Sequence, residues 1–141
     1  MNTLKRAAAL VFAIVAGLAV SACGSDGKDA NQATTTSGSN YAVVSDARVT
    51  EGLGRVRAFA ASIRAQAPTD LVAAEATFTE LHDEWFEFEG TIRSKEKSMY
   101  LDIEDALGGI KLGVQENKLD RVTSGVTALN AAIDVYLSAH P

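Results

Sequence analysis

The chain has 141 residues, 47% of them hydrophobic, and a formal net charge of −5 at pH 7. This length has room for one domain that folds around a hydrophobic core without disulfide staples. A nucleic-acid-binding function is not expected, because the balance of charge is acidic and the sequence has no basic patch. The single cysteine excludes an internal disulfide and therefore needs another explanation.

Residues 1–22 have the pattern of an export signal. Lys5 and Arg6 precede an apolar run over 7–20, which is short for a membrane span and typical of a signal-peptide core. The run leads into Val-Ser-Ala-Cys at residues 20–23, which resembles the lipobox of bacterial lipoproteins. That resemblance implies cleavage before Cys23 and lipid attachment to its thiol. The alternatives are an ordinary secretory signal followed by an unrelated cysteine, and an uncleaved anchor helix.

The segment over 23–40 is predicted to be the lipidated cysteine and a flexible tether. It has no large apolar residue and is rich in Gly, Ser, Thr and Asn. Two or more acyl chains hold a protein firmly at a bilayer. We therefore expect an exported protein that is anchored to a bacterial membrane through its lipid and faces the periplasm or the exterior.

Residues 41–141 form the predicted folded domain, in which apolar residues recur at spacings of three and four, as in amphipathic helices. Pro68 ends the first helix, and Thr69 and Asn117 are candidate caps of the second and fourth. Four helices with short connections and no segment of period two predict an all-α fold, an up-and-down antiparallel four-helix bundle. The apolar positions of the four helices are Val49, Leu53, Val56, Ala60 and Ile63; Leu71, Ala74, Phe78, Leu81, Trp85, Phe88 and Ile92; Tyr100, Ile103, Leu107, Ile110 and Val114; and Leu119, Val122, Val126, Leu129, Ile133 and Tyr136.

The second and third helices are expected to form an antiparallel hairpin, because the link between them near 93–95 is short. With Trp85 and Tyr100 at the same heptad position, Phe88 pairs with Tyr100, and Trp85 pairs with Ile103. The same register brings three complementary pairs together at the flank of the hairpin: Glu89–Lys97, His82–Glu104 and Glu75–Lys111. A group of acids on the second helix is predicted to be a solvated face: Glu80, Asp83, Glu84 and Glu87.

The hairpin contains the pattern Trp85-x-x-x-Glu89, repeated as Tyr100-x-x-x-Glu104, and it places Glu89 within reach of Tyr100 and Glu104 within reach of Trp85. Together with residues 78–85, Ile92 and residues 100–107, it resembles the helical extracytoplasmic domain of bacterial high-affinity iron permeases, and more distantly the imelysin-like iron-uptake lipoproteins. The membrane-embedded acidic motif of the permeases is missing. The His-x-x-Glu motif of the imelysin-like proteins is missing too, because a tryptophan stands three residues after the histidine.

This resemblance implies a role in the uptake of iron or another metal ion. The candidate metal ligands are His82, Glu89 and Glu104, since carboxylate and imidazole groups suit iron and manganese. Trp85 and Tyr100 are the candidate aromatic pair. The alternative interpretation is structural: charged flank residues commonly form interhelical ion pairs, and hydrogen bonds to the two aromatic residues would account for them without any ligand.

No enzymatic activity is expected, because the sequence lacks a Gly-x-Ser-x-Gly turn and a glycine-rich phosphate loop, and its only cysteine is assigned to lipid. The expected function is a membrane-anchored extracytoplasmic binding or interaction module, accessory to iron or other metal-ion uptake, with an envelope protein or permease as partner. No cofactor is required, and the candidate bound ligand is an iron or other divalent metal ion. The alternative is a structural or scaffolding envelope lipoprotein with no small ligand.

Overall fold

The computed structural model describes residues 43–141, so the export signal, Cys23 and the predicted tether lie outside the described residues. The described residues contain five helices and no strand, which confirms the all-α prediction but not the count of four helices. None of these helices is long and apolar enough to cross a membrane. The helices are α1 (Asp46–Gln66), α2 (Leu71–Phe86), α3 (Glu89–Lys95), α4 (Lys97–Gln115) and α5 (Leu119–Ala139).

Short polar side chains fix the helix ends, though not always the predicted ones. The Ser45 hydroxyl accepts a hydrogen bond from the Arg48 N–H at the start of α1. The carboxylate of Asp70, rather than the predicted Thr69, caps α2 by accepting from the Ala73 N–H at 2.9 Å. Asn117 does not cap α5 but adopts a left-handed conformation in the turn before it, with φ of 52°. Asparagine tolerates this conformation better than most residues.

The predicted second helix over 71–92 is wrong beyond Phe86, because the structure divides it into α2 and α3. The interruption lies at Glu87 and Phe88, where φ of Phe88 is −140° and its N–H donates to the Trp85 carbonyl. The ring of Phe88 is fully buried and packs against α1, where a Cβ atom at Gly52 would lie 2.3 Å from it. The break therefore allows Trp85 and Phe88 to be buried in different directions.

The long helices pack most extensively in two sequential pairs, α1 with α2 and α4 with α5. Contacts of α1 with α5 and of α2 with α4 join the two pairs, and α3 packs mainly on α4. Among the four contacts that join long helices to each other, the α2–α4 contact is the least extensive. The fully buried large side chains are Val49, Leu53, Val56, Ile63, Leu81, Trp85, Phe88, Ile92, Ile103, Ile110, Leu129 and Ile133.

Two arginines of α1 form ion pairs with α2. Arg48 and Arg55 each donate to the Glu84 carboxylate at 2.9 Å, and the guanidinium of Arg48 lies 5.6 Å from the centre of the Phe88 ring. Burial alone would raise the pKa of Glu84, but the hydrogen bonds from Arg55 and Arg48 outweigh it and lower that pKa. Glu84 therefore belongs to an interhelical ion pair and not to the predicted solvated face.

Candidate functional site

The candidate site is built around Trp85, a fully buried residue in the last turn of α2. Its indole N–H donates to the carboxylate of Glu104 on α4 at 2.6 Å. Its ring stacks on Tyr100, with centroids 6.2 Å apart and planes at 19°, and meets Phe88 edge-on at 5.3 Å. Tyr100 thus lies opposite Trp85, and the predicted pairing of Tyr100 with Phe88 is replaced by these two contacts.

Glu89 is the first residue of α3, and only 3% of its surface is exposed. Burial raises the pKa of its carboxyl group, and the negative charge of Glu104 raises it further. Arg93 and the indole N–H of Trp85 act in the opposite direction by favouring the carboxylate. The guanidinium of Arg93 lies 5.4 Å from the centre of the Tyr100 ring. The carboxyl groups of Glu89 and Glu104 therefore interact electrostatically beside the Trp85 indole, and Glu89 is almost entirely buried.

His82 lies one turn before Trp85 on α2 but in different surroundings. Its ring stacks on Phe78, with centroids 6.1 Å apart, and meets Phe86 edge-on at 4.5 Å. Across residues 43–141, no three His, Cys, Asp or Glu side chains are grouped so that they could hold one metal ion. The structure therefore brings Glu89 and Glu104 together beside Trp85 without adding His82 as a third ligand.

The three predicted flank pairs do not form direct ion pairs in the described part of the chain. The reason for Glu89 is the break after α2, because this residue no longer continues the helical face that carries His82. Glu75 and Lys111 line the same pocket but are not bonded to each other. The predicted pairing register is therefore nearly correct where α2 contacts α4 but wrong at α3.

Arg93 was not among the sequence-predicted site residues, although it acts on the Glu89 carboxyl group. The two residues are four apart in α3, and oppositely charged residues at this spacing are neighbours on a helix surface. That spacing was the signal in the sequence. It was obscured by the assignment of Glu89 to the end of a long helix and of Arg93 to a turn.

The chemistry available at this site is the binding of a proton or a cation. Two carboxyl groups that share a site cannot both ionise freely, and either a bound proton or a nearby positive charge relieves their repulsion. Carboxylate oxygens are also ligands for hard metal ions. The pair of carboxyl groups is suited to a cationic ligand. Arg93 and the indole N–H of Trp85 already stabilise part of the negative charge of Glu89.

Comparison with known proteins gives no relative from which to transfer a role. No family model matches the sequence, no curated protein matches it, and no solved structure matches the fold.

Proposed function

We propose that the chain is a membrane-anchored extracytoplasmic binding module whose ligand is a metal cation, in a role accessory to the uptake of iron or another metal ion. The observation that carries this proposal is the pair formed by Glu89 and Glu104 beside Trp85, with Glu89 almost fully buried. Placing a second carboxylate next to a buried one is unfavourable unless positive charge is supplied. A cation supplies that charge.

The proposed ligand set is the two carboxylates, completed by water or by groups of a partner such as a permease. Oxygen ligands of this kind suit iron, manganese and other hard ions. In this proposal His82 is not a ligand, since it lies among the rings of Phe78 and Phe86 and lines a pocket that does not include Glu89 or Glu104. The role is one of binding and delivery, with no catalytic step.

The described chain begins close to the proposed site. The Val44 N–H donates to the Thr91 hydroxyl at 2.8 Å, which fixes the residues before α1 alongside α3. Glu89 is the first residue of this same helix. The proposed site thus lies near the end of the domain to which the predicted tether is attached.

We also propose that the four long helices form an up-and-down four-helix bundle, into which α3 is inserted. The contacts of α1 with α2 and α5, and of α4 with α5 and α2, support this arrangement. The connections from α1 to α2 and from α4 to α5 are short, which favours opposite directions for the two helices of each pair, and α3 occupies the longer connection from α2 to α4.

The metal proposal predicts that the processed, lipidated protein in detergent binds ferric, ferrous, manganese or zinc ions in calorimetric titrations. Glu89→Gln and Glu104→Gln should each weaken binding at least tenfold, since each removes a charged ligand. Glu80→Gln, a change at an exposed acid of α2, should leave binding unchanged. Binding should also weaken as the pH falls through the raised pKa of Glu89, by up to about tenfold per pH unit, because the proton competes with the metal.

Thermal unfolding without metal shows whether these variants fold. A carboxyl group whose pKa is raised by folding destabilises the folded protein at a pH above that pKa, where the group is ionised. Metal-free Glu89→Gln should therefore be at least as stable as the parent at neutral pH. The difference should close in acid, where Glu89 is protonated in both the folded and unfolded states. Wild-type binding no tighter than about millimolar, or unchanged binding by both variants, would refute the metal proposal.

The second candidate is a scaffolding lipoprotein with no small ligand. The hydrogen bond from the Trp85 indole to Glu104 favours it, because this contact gives the carboxylate a structural role in joining α2 to α4. Under this function, removal of Glu104 destabilises the domain without changing any metal titration. The calorimetric and thermal measurements on Glu104→Gln thus separate the two candidates.

Anchoring is tested at Cys23, the predicted site of lipid attachment. Cys23→Ala should block processing and leave the unlipidated precursor, since the thiol that accepts the lipid is gone. Mass spectrometry of the wild-type N-terminus should show an acylated cysteine. An unmodified N-terminus that begins at another residue would contradict this assignment. Ser21→Ala serves as the control, because it keeps a small residue at position 21 and leaves the thiol of Cys23 in place.

A further inference from the structure

A pocket of about 150 Å³ opens at the contact between α2 and α4. This contact is the least extensive of the four that join long helices to each other. Trp85 and Tyr100 fill this contact at one end. The pocket lies further along it, between Glu75 and His82 of α2 and the end of α4 at Lys111. It is therefore separate from the proposed cation site and from the residues that form it.

The floor of the pocket is apolar. Phe78 and Val114 line it, and only 9% and 4% of their surfaces are exposed. The imidazole of His82 stacks on the Phe78 ring and forms a wall. A cavity of this size accommodates a body as large as a benzene ring. The floor thus suits a compact hydrocarbon group.

The rim of the pocket carries one charge of each sign. Glu75 lies on α2 and Lys111 on the facing helix, both are exposed, and both line the opening. Within residues 43–141, neither side chain makes an ion pair or a hydrogen bond with another residue. The amide of Gln115, one turn after Lys111, adds a donor and an acceptor to the same rim.

We infer that this pocket binds a small zwitterion of the α-amino acid class with a compact apolar side chain. The ligand carboxylate faces Lys111 and Gln115, its ammonium group faces Glu75, and its side chain lies on Phe78 and Val114. A ligand with only one charge would interact with only one of the two rim charges. A zwitterion complements both, and its apolar body matches the floor.

Valine is a suitable probe, because its two analogues each remove one charge and keep the hydrocarbon body. Isobutylamine lacks the carboxylate, and 3-methylbutanoate lacks the amine. In heteronuclear NMR titrations of the processed protein in detergent, valine should shift the amide signals of Phe78, His82 and Val114. For a ligand of this size in a half-open pocket, we expect a dissociation constant on the order of 1 mM. Both analogues should bind at least fivefold more weakly.

Rim variants identify which end of the ligand each charge holds. Lys111→Gln should weaken valine and 3-methylbutanoate about tenfold and leave isobutylamine unchanged. Glu75→Gln should weaken valine and isobutylamine by a similar factor and leave 3-methylbutanoate unchanged. Lys97→Gln, a change at an exposed lysine outside the pocket, should not alter any of the three titrations.

Two results overturn the inference. One is the absence of localised shifts at valine concentrations about tenfold above the expected dissociation constant. The other is an analogue that binds as tightly as valine, which would show that only one rim charge is used. Glu104→Gln should leave valine binding intact, so failure at this pocket is distinguishable from failure of the proposed cation site.

Discussion

Trp85→Ala should lower the free energy of unfolding by about 3–5 kcal/mol, the range for emptying a large aromatic site in a core. Trp85 is fully buried and contacts both Tyr100 and Phe88. The substitution also leaves the Glu104 carboxylate without its indole donor. Urea unfolding of the processed protein, followed by far-ultraviolet circular dichroism, measures the change.

Two further variants divide this effect into its parts. Trp85→Phe keeps most of the ring volume but removes the N–H, so it should cost less than the alanine variant and report on the bond to Glu104. Phe86→Ala removes the adjacent aromatic residue, which is 54% exposed, and should change the free energy by less than about 1 kcal/mol. Equal losses for Trp85→Ala and Phe86→Ala would contradict the burial of Trp85.

The helical class and most core positions could be predicted from the sequence, because they follow from the geometry of one helix. Leu53 and Val56 in α1, and Leu129 and Ile133 in α5, stand three or four residues apart and are buried as their spacing predicts. This periodicity reports which side chains share a face. It does not depend on which helix covers that face, so it survives errors in the arrangement of the helices.

The break between α2 and α3 could not be predicted in this way. The apolar rhythm continues from Trp85 through Phe88 to Ile92, with no proline at the break to stop the helix. The conformation of Phe88 is instead linked to a distant position, Gly52 of α1, against which its ring lies. Such a contact joins residues far apart in sequence, and no local pattern encodes it.

The candidate site could be predicted from the sequence only where the predicted register of the hairpin is correct. The register indicated that Glu104 would be within reach of Trp85, and the structure has a hydrogen bond between them. The burial of Glu89 and the distinct surroundings of His82 depend on the break after α2, which the register did not include. The lipid anchor at Cys23 remains a prediction from the export signal alone.

Gly125→Ala should lower the free energy of unfolding by about 1–3 kcal/mol, the usual range for overpacking a well-filled contact. A Cβ atom at Gly125 of α5 would lie 2.8 Å from the backbone nitrogen of Ile110 and 3.1 Å from the carbonyl oxygen of Ala106. These are backbone atoms of α4, so the clash is relieved only if the two helices move apart. The contact between α4 and α5 is the most extensive in the domain, and such a movement disturbs it along its length.

Gly108→Ala is the matched control, because it makes the same chemical change in α4, where no atom beyond the chain neighbours and the local helix backbone lies within 4 Å of the added Cβ. Alanine is a better helix former than glycine by about 1 kcal/mol, so this variant should be more stable than the parent. The same gain acts at Gly125 but is outweighed there by the clash with the α4 backbone. Opposite signs of the two changes in urea unfolding are therefore expected. A stabilising Gly125→Ala substitution would show that α4 and α5 are further apart than the structure has them.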